Sequence, residues 1–153
     1  MKCPRCEGTL QGGAFGEVPV HMCDGCASVL VDIMRNIPML GQLAEGLTQA
    51  DLDGPIELHE DDGEIRNCPK CAKPMERFDY MGSGVVTLDR CSPDRLLFLD
   101  VEEVTAAAIL LTRTRGRLDQ RRAENAAHVK GIEEAGDRAM ARMRRGMRHR
   151  FNR

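Results

Sequence analysis

Large aromatic side chains are nearly missing from this chain: its 153 residues hold no Trp, one Tyr and four Phe. An ordinary core would have to rest on Leu, Val, Ile and Met, and small domains with thin cores are usually stapled by disulfides or a metal. Long apolar runs are missing too. The most apolar stretch, AAAILL at 106–111, is far too short to span a bilayer, so no membrane association is expected. The start, MKCPRCEG, lacks the apolar run of a secretory signal. The expected compartment is therefore the cytoplasm, where paired cysteines more often bind metal than bridge. No Ser/His/Asp grouping, phosphate-cradling Gly loop or paired acid/base site can be read, so an enzyme is not expected.

What the chain does have is cysteine, seven in all. The odd number excludes a complete set of internal disulfides. Six fall in pairs, Cys3 with Cys6, Cys23 with Cys26 and Cys68 with Cys71, and Cys91 stands alone. Laying one half over the other exposes a repeat. KCPRC at 2–6 matches NCPKC at 67–71, Leu10 falls opposite Met75, and CDGCASVLVD at 23–32 matches CSPDRLLFLD at 91–100. Asp32 lies six positions after Cys26, and Asp100 lies six after Asp94. Asp94 therefore stands where the repeat calls for a cysteine.

Each copy reads as a CPxC turn, a short strand, a Gly-containing turn (GGAFGE or MGSGV), a second strand (VPVHM at 18–22 or VVTLD at 85–89) and a third apolar strand (SVLVD or LLFLD). Apolar residues at helical spacing predict a helix near 36–48, with Pro38 near its start. The D-x-x-E signal at Asp100 and Glu103 predicts a second helix. The expected fold is a small, metal-stabilised α+β chain of two tandem three-stranded zinc ribbons, each followed by a helix. The expected domains are residues 1–52, an acidic connector at 53–66 in which IELHE reads as an edge strand, residues 67–112, and a tail at 113–153.

Zinc takes four ligands in a tetrahedron, and two CxxC turns joined by a hairpin supply them. CPRC and CDGC, 16 residues apart, make Cys3, Cys6, Cys23 and Cys26 a closed structural zinc site. A thioredoxin-like redox pair would need a surrounding βαβ pattern, which is absent. The second copy offers Cys68, Cys71 and, 19 residues on, Cys91. Asp94 is one candidate for its fourth ligand, because a carboxylate oxygen can bind zinc. His59 or water is another. Alternatively the second copy holds no metal and packs through Leu96, Leu97, Phe98 and Leu99. His21, His128 and His149 read as ordinary surface residues. The EDDGE run at 60–64 reads as solvated connector.

The MKCPRCxGxL motif, the strand, the CxxC and the apolar segment ending in Asp resemble the bacterial transcription-factor-IIB-type zinc ribbon family. The resemblance covers residues 2–35 and, more loosely, 67–104. It implies Cys3, Cys6, Cys23, Cys26, Cys68, Cys71 and Cys91 as ligands. It does not imply a particular function. The chain departs from the family at Asp94 and in its apolar segments, where Val31 and Leu99 stand and the only aromatic is Phe98.

The net charge of −2 hides a split. Residues 1–112 carry 9 Lys+Arg against 19 Asp+Glu, and residues 113–153 carry 13 against 5. An acidic body repels phosphate, and without aromatic platforms it suits a protein partner better than a nucleic acid. The basic tail, helical or disordered, suits nucleic acid or an acidic partner through Arg113, Arg115, Arg117, Arg121, Arg122, Arg142, Arg144, Arg145, Arg148 and Arg150. The expected function is a non-enzymatic zinc-binding interaction module. The alternatives are nucleic-acid binding by the tail and a thiol/metal redox sensor at the second site.

Overall fold

The computed structural model describes residues 1–6, 8–58 and 63–151, with side chains described up to residue 143. Six strands form one antiparallel sheet: β1 (Leu10–Phe15), β2 (Val18–Cys23), β3 (Val29–Asp32), β4 (Glu76–Asp79), β5 (Thr87–Cys91) and β6 (Leu96–Leu99). The strand order is β1-β2-β3-β6-β5-β4. Two triplets, β1–β3 and β4–β6, are thus joined through their third strands. The β3–β6 register pairs Val29 with Leu99, Leu30 with Phe98, Val31 with Leu97 and Asp32 with Leu96. Leu30 and Phe98 occupy the same position in the two aligned stretches, so a local two-fold passes through their pair.

The sequence predicts two tandem three-stranded units; the structure joins the two triplets in one sheet. The reason lies in VLV and LLFL themselves. A strand apolar on both faces must be covered on both faces and suits the middle of a sheet. Val29, Val31, Leu97 and Leu99 face the larger core, against the helices. Leu30 and Phe98 face the other side, in a layer with Leu10, Met75 and the cysteines. The GGAF segment, read above as a turn, is strand instead: β1 runs to Phe15, and only Gly16 and Glu17 turn, Gly16 with φ 56°.

After β3, the Asp32 carboxylate accepts the Met34 N–H at 2.7 Å and starts a single 3-10 turn. Helix α1 (Asn36–Ala44) follows, with Pro38 in its first turn, where no intrahelical N–H is needed. It buries Met39 and Leu40 and ends earlier than the periodicity suggests, because the short helix α2 (Gln49–Asp53) begins anew at Thr48 with a reciprocal Thr48–Asp51 capping box. The connector's Ile56 and Leu58 pack against the larger core without forming a strand.

Helix α3 (Val101–Phe151) begins at the Asp100–Glu103 box: the Asp100 N–H donates to Glu103 Oε2 at 2.8 Å, and the Glu103 N–H donates to Asp100 Oδ1 at 3.1 Å. Its first turns bury Val104, Ala107, Ala108 and Leu111. The chain divides into compact units at Thr114 and Arg115. The helix nevertheless runs through the expected boundary at 112/113 without a break. Gly116, Gly131 and Gly136 each cost about 1 kcal/mol relative to Ala. Ala, Arg and Glu between them, with pairs such as Arg122–Asp119 and Arg138–Glu134, keep the helix going. No helix among the described residues is long and apolar enough to cross a membrane.

Candidate metal centres

The first cluster is built by two turns brought together by the β1–β2 hairpin. Cys3 and Cys6 lie in the turn before β1, Cys23 ends β2, and Cys26 lies in the turn to β3. All four sulfurs lie within 4.8 Å of one another. Cys6 and Cys23 are 3.4 Å apart, and Cys3 and Cys26 are 3.7 Å apart. A tetrahedron with metal–thiolate bonds of about 2.3 Å has edges of about 3.8 Å, so this donor set fits a tetrahedral ion. None of the seven cysteines is in a disulfide.

The backbone of both turns is aimed at sulfur. The N–H of Arg5 donates to Cys3, that of Gly8 to Cys6 and that of Gly25 to Cys23, at 3.3–3.4 Å. Such bonds favour thiolates. Gly8 is sterically required: a Cβ there would sit 2.8 Å from both Cys23 Sγ and Asp24 Oδ1. Asp24 accepts the Thr9 N–H at 2.7 Å and the Gln11 side-chain amide at 3.1 Å, lashing the turn to β1. The Thr9 N–H holds its carboxyl below the usual range. Burial pushes the Cys3 thiol up to about 12. Burial also acts to raise Cys26, but the buried Ser28 hydroxyl, 3.1 Å away, and the Ser28 N–H outweigh it and bring the thiol down to about 7. Gly8, Asp24 and Ser28 were missed in the sequence; the x-G and D-G flanks of the CxxC turns were the available signal.

The second cluster brings together Cys68, Cys71, Cys91 and Asp94, again with donor atoms within 4.8 Å. Cys71 and Cys91 are 3.6 Å apart, and the Cys68 and Cys91 thiols donate to Asp94 Oδ2 at 3.5 and 3.4 Å. The other carboxylate oxygen faces Lys70 Nζ at 3.3 Å. Contacts with the thiols, led by Cys71, and with Lys70 hold the Asp94 carboxyl down at about 2. Burial pushes Cys91 up to about 12. The backbone keeps the geometry of the first site. Ala27 follows Cys26 and Arg95 follows Asp94, and both have φ 57°. A left-handed conformation at a non-glycine residue costs about 1–2 kcal/mol, yet it is kept where sulfur has given way to oxygen. His59 lies outside the described residues, as does most of the EDDGE run.

The two clusters share the layer that contains Leu30 and Phe98. Charged groups surround its second half. Arg66 and Asp89 form a buried ion pair at 3.0 Å, Arg77 Nε approaches Asp89 at 3.7 Å, and the Arg66 guanidinium lies 6.0 Å from the Phe98 ring centroid. From the first CxxC turn, Arg5 forms an ion pair with Asp100. Burial lifts the Glu103 carboxyl to about 7, with Asp100 and Asp89 adding repulsion.

The ten arginines proposed from the sequence do not share one role. Arg113 belongs with the compact N-terminal unit: its guanidinium donates to the Leu52 carbonyl at 2.6 Å and to the Gly54 carbonyl, clamping the end of α2. Arg115, Arg117, Arg121, Arg122 and Arg142 lie on the exposed part of α3, where Arg122 pairs with Asp119. The side chains of Arg144, Arg145, Arg148 and Arg150 lie outside the described residues. His21 and His128 are exposed and join neither cluster. Comparison of the chain with protein-family models, curated proteins and solved structures returns no match.

Proposed function

We propose that this chain is a non-enzymatic interaction module held by two zinc ions, and that it acts by binding a protein partner. The observation that carries this reading is the closed four-donor geometry at each cluster. Four protein ligands leave a tetrahedral ion no open position for substrate or water. Soft thiolates in that arrangement favour zinc over hard cations. On this reading each triplet is a zinc ribbon, the two are copies of one unit, and the resemblance to the transcription-factor-IIB-type ribbons extends to both. The acidic charge of residues 1–112 and the lack of exposed aromatic rings on the sheet point away from phosphate and towards protein.

The deciding experiment is elemental analysis of the purified chain, followed by chelation under circular dichroism. The expected result is two zinc ions per chain, one after Asp94→Ala, and loss of the sheet signal on chelation. A chain that keeps its spectrum and melting curve without metal would overturn the reading.

A second reading, binding of nucleic acid by α3, is favoured by the exposed arginines at 115, 117, 121 and 142. Binding of a labelled duplex that falls steeply with salt and disappears on deletion of 115–153 would support it. Binding that survives the deletion would rule it out.

A further inference from the structure

One face of α3 carries large apolar side chains that the rest of the chain does not cover. Leu118, Val129 and Met140 recur every eleven residues, and Ile132 and Met143 are also eleven apart. Eleven residues make about three helical turns, so all five fall on one stripe about 80° wide. They are between 47% and 61% exposed, and none belongs to either packed cluster. Helices in proteins draw most of their stability from packing such a face. The segment that bears the stripe is basic: residues 115–153 carry 12 Lys+Arg against 5 Asp+Glu.

The N-terminal unit holds a surface of the opposite kind. The connector and the first turns of α3 form a groove of about 360 Å³. Ile56, Val101, Ala106 and Ile109 give it an apolar lining, and Glu57 and Glu102 stand among them. Val101 is exposed there, although the apolar side chains of the next turns, Val104, Ala107 and Ala108, are buried. The connector that forms one wall, residues 53–66, carries six carboxylates and one arginine. The groove is thus apolar inside and negative along its margin. It suits an apolar stripe with basic flanks, as when an amphipathic helix seats side chains at i, i+3 and i+7 in a groove.

We propose that the Leu118–Met143 stripe of one copy seats in the Ile56–Val101–Ile109 groove of a second copy, and that the exchange is reciprocal. α3 runs unbroken from Val101 to Phe151, and a helix cannot fold back onto its own first turns, so the groove that takes the stripe belongs to another chain. Charge selects the pairing. Two acidic N-terminal units repel each other, as do two basic segments, whereas the acidic unit of one copy attracts the basic segment of the other. A phosphate surface would meet the arginines but leave the groove empty. A two-fold exchange fills both grooves and covers both stripes, and it closes as a dimer rather than growing into a filament. This goes beyond the zinc reading, since the partner is the chain itself.

The test is sedimentation velocity on the full-length, metal-loaded chain, from micromolar to hundreds of micromolar. The expected mass is twice 17.0 kDa, with association weakening as salt is raised. Two substitutions at exposed positions of α3 address the two surfaces separately. Thr105→Arg puts a cation into the groove, and Ile132→Glu puts a carboxylate into the stripe. Each is expected to weaken association about tenfold or more, with the metal content and spectrum of the parent. A mixture of the two variants keeps one intact stripe and one intact groove, so it is expected to associate more tightly than either variant alone. A parent that is monomeric at every concentration, a dimer that survives either substitution, or a mixture no tighter than its components overturns the proposal. Metal content is read separately, so failure here is distinguishable from failure of the zinc reading.

Discussion

The two triplets of the sheet have the same strand order and the same left-handed residue after the last donor, yet they are held differently. The first surrounds four sulfurs, and its strands beside them carry Gly12, Ala14 and His21, which pack against little. The second replaces one sulfur with Asp94 and sets Arg77 and Asp89 at the positions matching Gly12 and His21, with Arg66 and Phe98 beside them. His21 and Asp89 make the contrast at one pair of aligned sites: His21 lies opposite Leu30 and is exposed, and Asp89 lies opposite Phe98 and is buried. If both clusters hold the proposed metal, ligand quality and side-chain packing are exchangeable supports. The triplet with the softer, stronger donor set has the barer surface.

The largest effect should come from breaking the ligand sets in turn. Structural zinc contributes on the order of 10 kcal/mol to small domains. Cys23→Ser should therefore unfold the first triplet, seen as loss of amide-exchange protection in β1 and β2. Cys91→Ser should leave more protection in β5 and β6, because Arg66, Asp89 and Phe98 remain. Equal losses would break the comparison. Next in size is Asp89→Ala, which removes the carboxylate paired with the buried Arg66 guanidinium and should cost about 3–5 kcal/mol in chemical denaturation. His21→Ala, at the aligned position, should change stability by less than about 0.5 kcal/mol.

Glu103 gives a smaller, pH-dependent effect. Its carboxyl is raised to about 7 in the folded chain, so the native state holds a proton that the unfolded chain releases nearer the ordinary carboxyl range. Stability therefore falls as pH rises through that window towards 7 and beyond. Between pH 6 and 8 the loss should be about 1 kcal/mol. Thermal melts of Glu103→Gln, which keeps the capping partner, should show no such slope. The smallest effect is expected for Lys70→Met. The lysine is largely exposed, and a surface ion pair of this kind contributes about 0.2–1 kcal/mol. Competition with a chromophoric chelator should show the second metal weakened only a few-fold and the first unchanged.

The sequence made the eight donors legible because a CxxC turn is a local device, and local spacing is what a sequence displays. Asp94 could be placed because the repeat aligns it with Cys26, and the shared φ of Ala27 and Arg95 gives that alignment a backbone meaning. The joining of β3 to β6 is not local. VLV and LLFL announce strands that need cover on both sides, but not what covers them. β1 was obscured by Gly12 and Gly13, which read as turn residues when an edge strand tolerates them. Arg113 looked like part of the basic tail because its carbonyl partners lie some sixty positions earlier in the chain. The length of α3 was hidden by glycines whose cost an otherwise well-suited helical sequence absorbs.

The Leu30–Phe98 pair sits between the two clusters and belongs to both halves of one ladder. An ion captured at either end would order β3 or β6, and with it the neighbouring strand that the other end needs. By thermodynamic reciprocity, each capture must then ease the other to the same degree. The first cluster should therefore hold its ion more tightly in the parent chain than in Asp94→Ala, which keeps one ion but loses the help of the other.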